Sequence, residues 1–152
     1  STVNSQELSE TKKSHLDFWN AFKTFMEESN TPLKLRQPRA QHWYTMAVGR
    51  SKFSISLTTN SQSKQIGCEI YIRGEDAKKA FAQLELKEDR IEAILGELEW
   101  HELPDGQDCR IKLSHDGDSK DQAQWRDLHS WLKDKSEAFY GVFSPRIKTL
   151  SL

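Results

Sequence analysis

The spacing of apolar and aromatic residues predicts an α-helix near each end of the chain. In the N-terminal part such residues recur at intervals of three and four, the period of one helix face. They are His15, Phe18, Trp19, Phe22, Phe25 and Met26. A similar stripe runs through residues 121–143. We expect Pro32 to end the first helix, because the residue before a proline disfavours the helical conformation, and Pro145 to end the last one.

Three consecutive runs in the first half of the chain show the pattern of β-strands. Residues 42–48 are rich in aromatic and aliphatic side chains, and residues 53–58 and 66–73 alternate apolar with polar positions. Alternation of this kind is typical of a strand with one buried face and one polar face. Because only the short polar segments 49–52 and 60–63 connect the runs, they predict an antiparallel meander.

The second half of the chain predicts a further helical region and a hairpin before the last helix. Apolar residues have helical spacing in 77–84 and again in 91–95, which indicates one helix or two helices broken near 85–88. Residues 97–102 and 110–113 have the composition of two further strands. These strands are expected to pair with each other.

The predicted order of elements is α-β-β-β-α-β-β-α. A turn at Pro104-Asp105-Gly106 joins the two strands of the hairpin. Residues 1–10 form a polar lead-in, and residues 11–152 form a single domain. This order predicts an α+β fold, in which helices pack on one face of an antiparallel sheet made of the meander and the hairpin.

Length and composition limit the class of protein. A chain of 152 residues has the size of one ordinary domain. Its 10% of aromatic residues argue against disorder. No apolar run approaches the roughly 18 residues that span a membrane, and residues 1–10 lack the pattern of a signal peptide. The two cysteines, Cys68 and Cys109, suit a reducing compartment. We therefore expect a soluble cytoplasmic protein that does not contact membranes.

Charge is strongly segregated along the chain, although the formal net charge is only −1. Between Glu28 and Glu69 there are six cationic residues and no acidic one. Residues 85–108 contain nine acidic residues and only two cations. The two stretches either neutralise each other inside the fold or form separate charged surfaces, and the sequence leaves both alternatives open.

The sequence indicates no metal, cofactor or catalytic site. His101, Cys109 and His115 are of metal-binding type but lack the paired spacing of a zinc site. Residues 116–121 begin like a calcium loop, but the positions that need an oxygen ligand, glycine and glutamate hold other residues. There is no glycine-rich phosphate loop and no nucleophile elbow. We expect a protein without cofactor or metal, and without catalytic activity.

A magnesium-dependent nuclease of the restriction type is the most specific enzyme hypothesis. Such a centre combines carboxylates, which are hard oxygen ligands for magnesium, with a lysine near the second strand. Glu69 is the only acidic residue of the predicted meander, and Tyr71 occupies the position that the lysine would take. Glu99 lies in the hairpin but also lacks the lysine. A minimal or degenerate nuclease is therefore kept only as an alternative.

The acid-free stretch has the composition of a surface that contacts nucleic acid. Its cations could follow a phosphate backbone, and its aromatic residues could stack on bases. We predict that this stretch binds nucleic acid or an acidic partner. The predicted contact residues are Lys34, Arg36, Arg39, Tyr44, Arg50 and Lys52.

Several short motifs resemble one family of bacterial domains. They are Phe18-Trp19, residues 43–49, residues 81–84, Arg90-Ile91-Glu92, Leu98-Glu99-Trp100, residues 125–131 and residues 143–147. The family has no assigned function and is often found at the C-terminal end of restriction-endonuclease-like proteins. The resemblance covers residues 12–150 and implies an accessory module of nucleic-acid-processing or defence proteins, with the chemistry supplied by another domain.

These observations lead to one main hypothesis and two alternatives. The main hypothesis is a non-catalytic bacterial module that contacts nucleic acid or an acidic partner through its basic stretch. The first alternative is a protein-interaction or dimerisation module, in which the basic stretch of one molecule binds the acidic stretch of another. The second alternative is the minimal magnesium-dependent nuclease.

Overall fold

The computed structural model describes residues 2–103 and 105–152, and it confirms the predicted α+β fold with its five antiparallel strands. The helices are α1 (Thr2–Glu28), α2 (Ala77–Glu85), α3 (Glu88–Leu95) and α4 (Trp125–Lys148). The strands are β1 (Trp43–Ala47), β2 (Phe53–Asn60), β3 (Gln65–Ile72), β4 (Glu99–Glu102) and β5 (Cys109–Asp116). A short 3₁₀ turn, Gln122–Gln124, precedes α4.

The strands form one sheet in the order β1-β2-β3-β5-β4. The meander β1–β2–β3 follows directly from its short turns, as the sequence predicts. The hairpin joins the meander through β5, which pairs with β3, so that β1 and β4 are the two edge strands. The residues before β1 and the residues of β4 therefore lie at opposite edges of the sheet.

The helices cover one face of the sheet because alternate strand residues on that face are apolar. Ile55, Leu57 and Ile70 are completely buried there. Helix α1 contributes Trp19, whose ring stacks on Tyr44 of β1 at a centroid distance of 5.6 Å. Burial of each such side chain contributes about 1.5–3 kcal/mol. No helix in residues 2–103 and 105–152 is long and apolar enough to cross a membrane.

Three details differ from, or refine, the sequence expectations. Helix α1 already begins at Thr2, so residues 2–10 of the polar lead-in form its first turns, of which residues 5–10 are exposed. The middle helical region is two helices, α2 and α3, broken at residues 86–87. Ser1 of the lead-in and Pro104 of the predicted turn lie outside the described residues.

The prediction that Pro145 ends the last helix is wrong, because α4 continues to Lys148. A proline ring normally clashes with the carbonyl of the residue four positions earlier and leaves it unpaired. Here that residue is Gly141, and both Gly141 and Pro145 are exposed, so water can reach the carbonyl. The last turn is also held by the fully buried Ile147, whose carbonyl accepts a hydrogen bond from Arg50.

Candidate functional site

The face of the sheet opposite the helices is polar, and we call it the open face. Its side chains lie in three cross-strand rows set by the strand register. The first row is Trp43, Thr58, Gly67 and Ser114, the second is Thr45, Ser56, Glu69, Lys112 and Glu99, and the third is Ala47, Ser54, Tyr71, Arg110 and His101. Each row runs across the sheet, so residues distant in sequence become neighbours.

A hollow forms on the open face because β2 presents only short hydroxyl side chains there. Ser54, Ser56 and Thr58 line it, while the larger Trp43 and Arg110 stand at its sides. The resulting central pocket has a volume of about 380 Å³, which is within the range of small-ligand sites. Trp43 is 39% exposed, an unusual exposure for a large aromatic ring.

Glu69 lies in the middle of this pocket and is only 5% exposed. Among the residues that the structure describes, its Oε2 has no hydrogen-bond partner, and the nearest cationic group, Nε of Arg110, is 3.8 Å away. Burial raises the pKa of Glu69, and the positive charges of Arg110 and Lys112 oppose that rise only in part. Buried polar atoms normally have partners, so a carboxylate oxygen without one marks a candidate binding group.

Arg110 and Tyr71 form one wall of the central pocket. The guanidinium carbon of Arg110 lies 5.2 Å from the centre of the Tyr71 ring, a distance typical of a cation–π contact. The Tyr71 hydroxyl donates a hydrogen bond to the carboxylate of Asp108, which also accepts from the amide of Gly74. The hydrogen bond to Asp108 therefore fixes the position of the Tyr71 side chain, and with it this wall of the pocket, near the end of β3.

A second depression, the basic groove, adjoins the central pocket and shares Thr45, Ser54 and Tyr71 with it. Four cations line this groove of about 570 Å³, and no carboxylate does. They are Arg36, Arg50, Lys52 and Arg73. Within residues 2–103 and 105–152, none of them forms an ion pair with an acidic residue.

The structure brings together most, but not all, of the predicted contact residues. Arg36 lines both the basic groove and a smaller groove beside β1 that also contains Arg39. Lys34 is exposed but lines neither groove. Arg50 has a structural role as well, because its guanidinium donates to the carbonyls of Ile147 and Leu150 near the end of α4.

The expectation that Tyr44 presents an exposed side chain is wrong, although the residue lines the smaller groove beside β1 and its role in binding stays a prediction. Tyr44 is only 3% exposed, and its hydroxyl is bonded to the backbone of Arg36. The neighbouring Trp43 is the exposed aromatic residue, because successive strand residues point to opposite faces. Sequence reasoning also missed Arg73, which follows β3 and lies outside the acid-free stretch but completes the basic groove.

The acidic stretch lies at the other side of the sheet. Glu99 and Glu102 on β4, and Asp105 in the following loop, are exposed, and we call these three residues the acidic edge. Helix α3 packs beside it, since Glu92 accepts hydrogen bonds from the Leu98 amide and the Trp100 indole. In the described part of the chain, no ion pair joins the acidic stretch to the basic one. Among the described residues, the two stretches are therefore not joined by direct ion pairs, although Asp108 of the acidic stretch accepts a hydrogen bond from Tyr71, which lines the basic groove.

The arrangement gives the nuclease alternative no support. Among residues 2–103 and 105–152, no three His, Cys, Asp or Glu side chains are grouped so as to hold a metal ion. The nearest basic group to Glu69 is Arg110, which is already stacked on Tyr71. Nε2 of His101 lies 4.0 Å from Oε1 of Glu99, and both side chains are exposed on β4.

Comparison with known proteins identifies one matching family and two similar structures. A family model described as a domain of unknown function (DUF4268) matches residues 14–147. The chain is similar to the crystal structure of YbjN from E. coli, with 6% identity, a TM-score of 0.44, and coverage of 88% of this chain and 96% of that one.

A second similar structure is the ExsC-ExsE complex, with 9% identity, a TM-score of 0.35, and coverage of 93% of this chain and 94% of that one. With TM-scores below 0.5, neither structural likeness bears on function. No curated protein matches the chain. The association with restriction-endonuclease-like proteins that the sequence motifs implied stays a prediction.

Proposed function

The chain belongs to the DUF4268 family, and from the open face of its sheet we propose that it is a protein-interaction module. One observation carries this proposal. The face that no strand or helix of the described chain covers lies between a cation-lined groove at the β1 side and the β4 edge, where Glu99 is on the face and Glu102 and Asp105 are exposed beside it. A protein partner can carry both signs of charge, and so can match both sides of such a face.

The width of the face favours a protein over a nucleic acid. Five strands at about 4.8 Å spacing place β1 and β4 roughly 19 Å apart. A nucleic acid lying across that distance would meet Arg36 and Lys52 at one side but the carboxylate of Glu99 at the other. Repulsion at the acidic edge would offset part of the attraction in the basic groove.

The partner that the charge layout fits best is a second copy of this chain. If two open faces pack about a twofold axis parallel to the strands, each basic groove meets the acidic edge of the other copy. This contact is formed twice and closes the assembly. The face covers roughly 500 Å² per copy when estimated from strand number and length, so the interface is at the small end of specific contacts and its affinity is expected to be weak.

Sedimentation velocity tests the proposal. We expect a monomer–dimer equilibrium at high micromolar concentration in 50 mM salt, which shifts to monomer in 500 mM salt because exposed charge pairs are screened. Substitution of Arg36→Glu with Lys52→Glu should abolish the dimer, as should Glu99→Lys with Glu102→Lys. An equimolar mixture of the two variants should associate again, because both contacts of the twofold pair then join complementary charges. A wild-type chain that stays monomeric in low salt at all concentrations would contradict self-association.

Nucleic-acid binding is a second candidate, supported by the absence of carboxylates from the lining of the basic groove. If its four cations met phosphates of duplex DNA, the logarithm of the binding constant would fall with log salt at a slope of about −3.6. Fluorescence anisotropy with labelled duplex and single-stranded oligonucleotides measures this slope. The variant Arg36→Glu with Lys52→Glu should lose the binding, whereas Lys64→Glu, in the distant β2–β3 turn, should retain it.

A further inference from the structure

Glu69 has an acceptor that the protein itself leaves unused. Oε2 is buried and has no donor in hydrogen-bond range among residues 2–103 and 105–152, and the Glu69 side chain lines the central pocket. A ligand that brings an N–H group to this oxygen would gain a hydrogen bond to a charged acceptor, which is stronger than one between neutral groups. Because Arg110 and Lys112 already place two positive charges near Glu69, an uncharged donor suits the pocket better than an ammonium group.

The shape and lining of the central pocket indicate a planar ligand. Trp43 and Tyr71 offer ring faces or edges at its sides, and the hydroxyls of Ser54, Ser56 and Thr58 line it. Aromatic side chains of this kind stack on bases and other flat rings. A volume of about 380 Å³ accommodates a single ring with its substituents.

The basic groove adds a second requirement on the same ligand. It shares lining residues with the central pocket, so a molecule can extend from one into the other. Glu69 and Arg73 are four residues apart along the direction of β3, which corresponds to roughly 13 Å between their backbones. Glu69 lines the central pocket and Arg73 lines the basic groove at the two ends of that gap. A ligand that fits both sites has an N–H donor on a flat ring at one end and an anionic group at the other.

We propose that the open face binds a pyrimidine nucleotide whose base carries an exocyclic amino group, with the base in the central pocket and the phosphate in the basic groove. The amino group of cytosine donates to Glu69, a pairing that carboxylates make with cytosine elsewhere. Uracil has a carbonyl oxygen at the same position. The partial negative charge of this oxygen would be repelled by the carboxylate of Glu69. The proposal does not rest on the protein interaction proposed above, although both use the open face, so a bound nucleotide would compete with the face-to-face dimer.

Isothermal titration of the full chain with CMP and UMP at pH 8 tests the role of Glu69. We expect CMP to bind about tenfold more tightly than UMP or better, the ratio that corresponds to one well-formed hydrogen bond. In Glu69→Gln this preference should disappear, because an amide can donate to uracil as well as accept from cytosine. The matched control is Glu99→Gln, which lies in the same cross-strand row but is exposed, and it should keep the preference.

The phosphate end is tested with cytidine and with a second pair of variants. Cytidine should bind at least tenfold more weakly than CMP, and Arg73→Gln should reduce the difference, whereas Lys64→Gln should not. Circular dichroism confirms that each variant is folded. Equal affinity for CMP and UMP, or no binding of either at millimolar concentration, would overturn the proposal. Because the face-to-face dimer would cover the same pocket and groove, the titrations use chain concentrations at which sedimentation without nucleotide shows a monomer.

Discussion

Replacement of Glu69 by glutamine should stabilise the protein at neutral pH. The substitution keeps the shape of the side chain and removes a buried charge whose Oε2 has no hydrogen-bond donor. An unpaired buried polar atom costs about 1–3 kcal/mol and a charged one more, so glutamine, which still leaves a polar atom there, removes only the extra cost of the charge. Arg110 offsets part of this cost, but its side chain is 48% exposed and its Nε is 3.8 Å away, so the offset is at most about 1 kcal/mol.

The net expectation for Glu69→Gln is a gain of about 1 kcal/mol in unfolding free energy, or about 2–4 °C in Tm for a chain of this length. The gain should depend on pH. Burial raises the pKa of Glu69 above its ordinary 4.5, and nearby cations, Arg110 first, partly oppose the rise. The charged form is therefore the costly one, and its cost is lost as the pH falls through the raised pKa. The advantage of the variant should shrink accordingly.

Urea unfolding followed by tryptophan fluorescence, at pH 7 and at pH 4, measures both effects. Glu99→Gln is the control, because that carboxylate is exposed and its replacement should change stability by less than about 0.5 kcal/mol. A loss of stability in Glu69→Gln at pH 7 would refute the reasoning, since it would mean that the carboxylate is well paired. An equal gain at both pH values would refute the link to ionisation.

Three further predictions concern the fold that supports the open face. Burial lowers the pKa of His129 from 6.5 to about 4, although its hydrogen bond with the Phe18 carbonyl acts the other way. The unfolding free energy, measured by urea titration, should therefore fall by about 3 kcal/mol between pH 6.5 and pH 4. In His129→Gln the fall should be much smaller. Gly67→Ala should lower the unfolding free energy by about 1–3 kcal/mol, because the new Cβ would lie 2.6 Å from Oγ1 of Thr58. In a double-mutant cycle, adding Thr58→Ala should recover part of this loss. Tyr44→Phe should lower Tm by about 2–4 °C in calorimetry, because the hydroxyl bonds both the amide and the carbonyl of Arg36; an unchanged Tm would contradict this.

The face assignment within the strands shows how far sequence periodicity reaches. Alternation in 53–58 correctly separates Ile55 and Leu57, which are buried, from the hydroxyl residues of the open face. In 42–48 the alternation is hidden, because Trp43 and Tyr44 are both aromatic. Only pairing with β2 assigns Tyr44 to the core and Trp43 to the open face, which explains why the expected exposure of Tyr44 is wrong.

The candidate pocket could be predicted only in part, because it depends on pairings across the sheet. Glu69 stands out in the sequence as a lone acid in an otherwise uncharged alternation. Its burial and its unpaired Oε2 result from neighbours on β2 and β5, Ser56 and Lys112 among them, that local sequence does not identify. Arg73 joins the basic groove for the same reason, since it meets Lys52 through the β2–β3 pairing.

The sequence by itself determines the α+β class, the meander and the segregation of charge, because periodicity and composition are local properties of the chain. Whether the two charged stretches neutralise each other is decided by strand order. Insertion of β5 between β3 and β4 places the acidic edge at the side of the sheet farthest from β1. Opposite charges at that separation remain unpaired within one molecule, since Coulomb attraction between exposed groups is screened over about 8–10 Å in physiological salt.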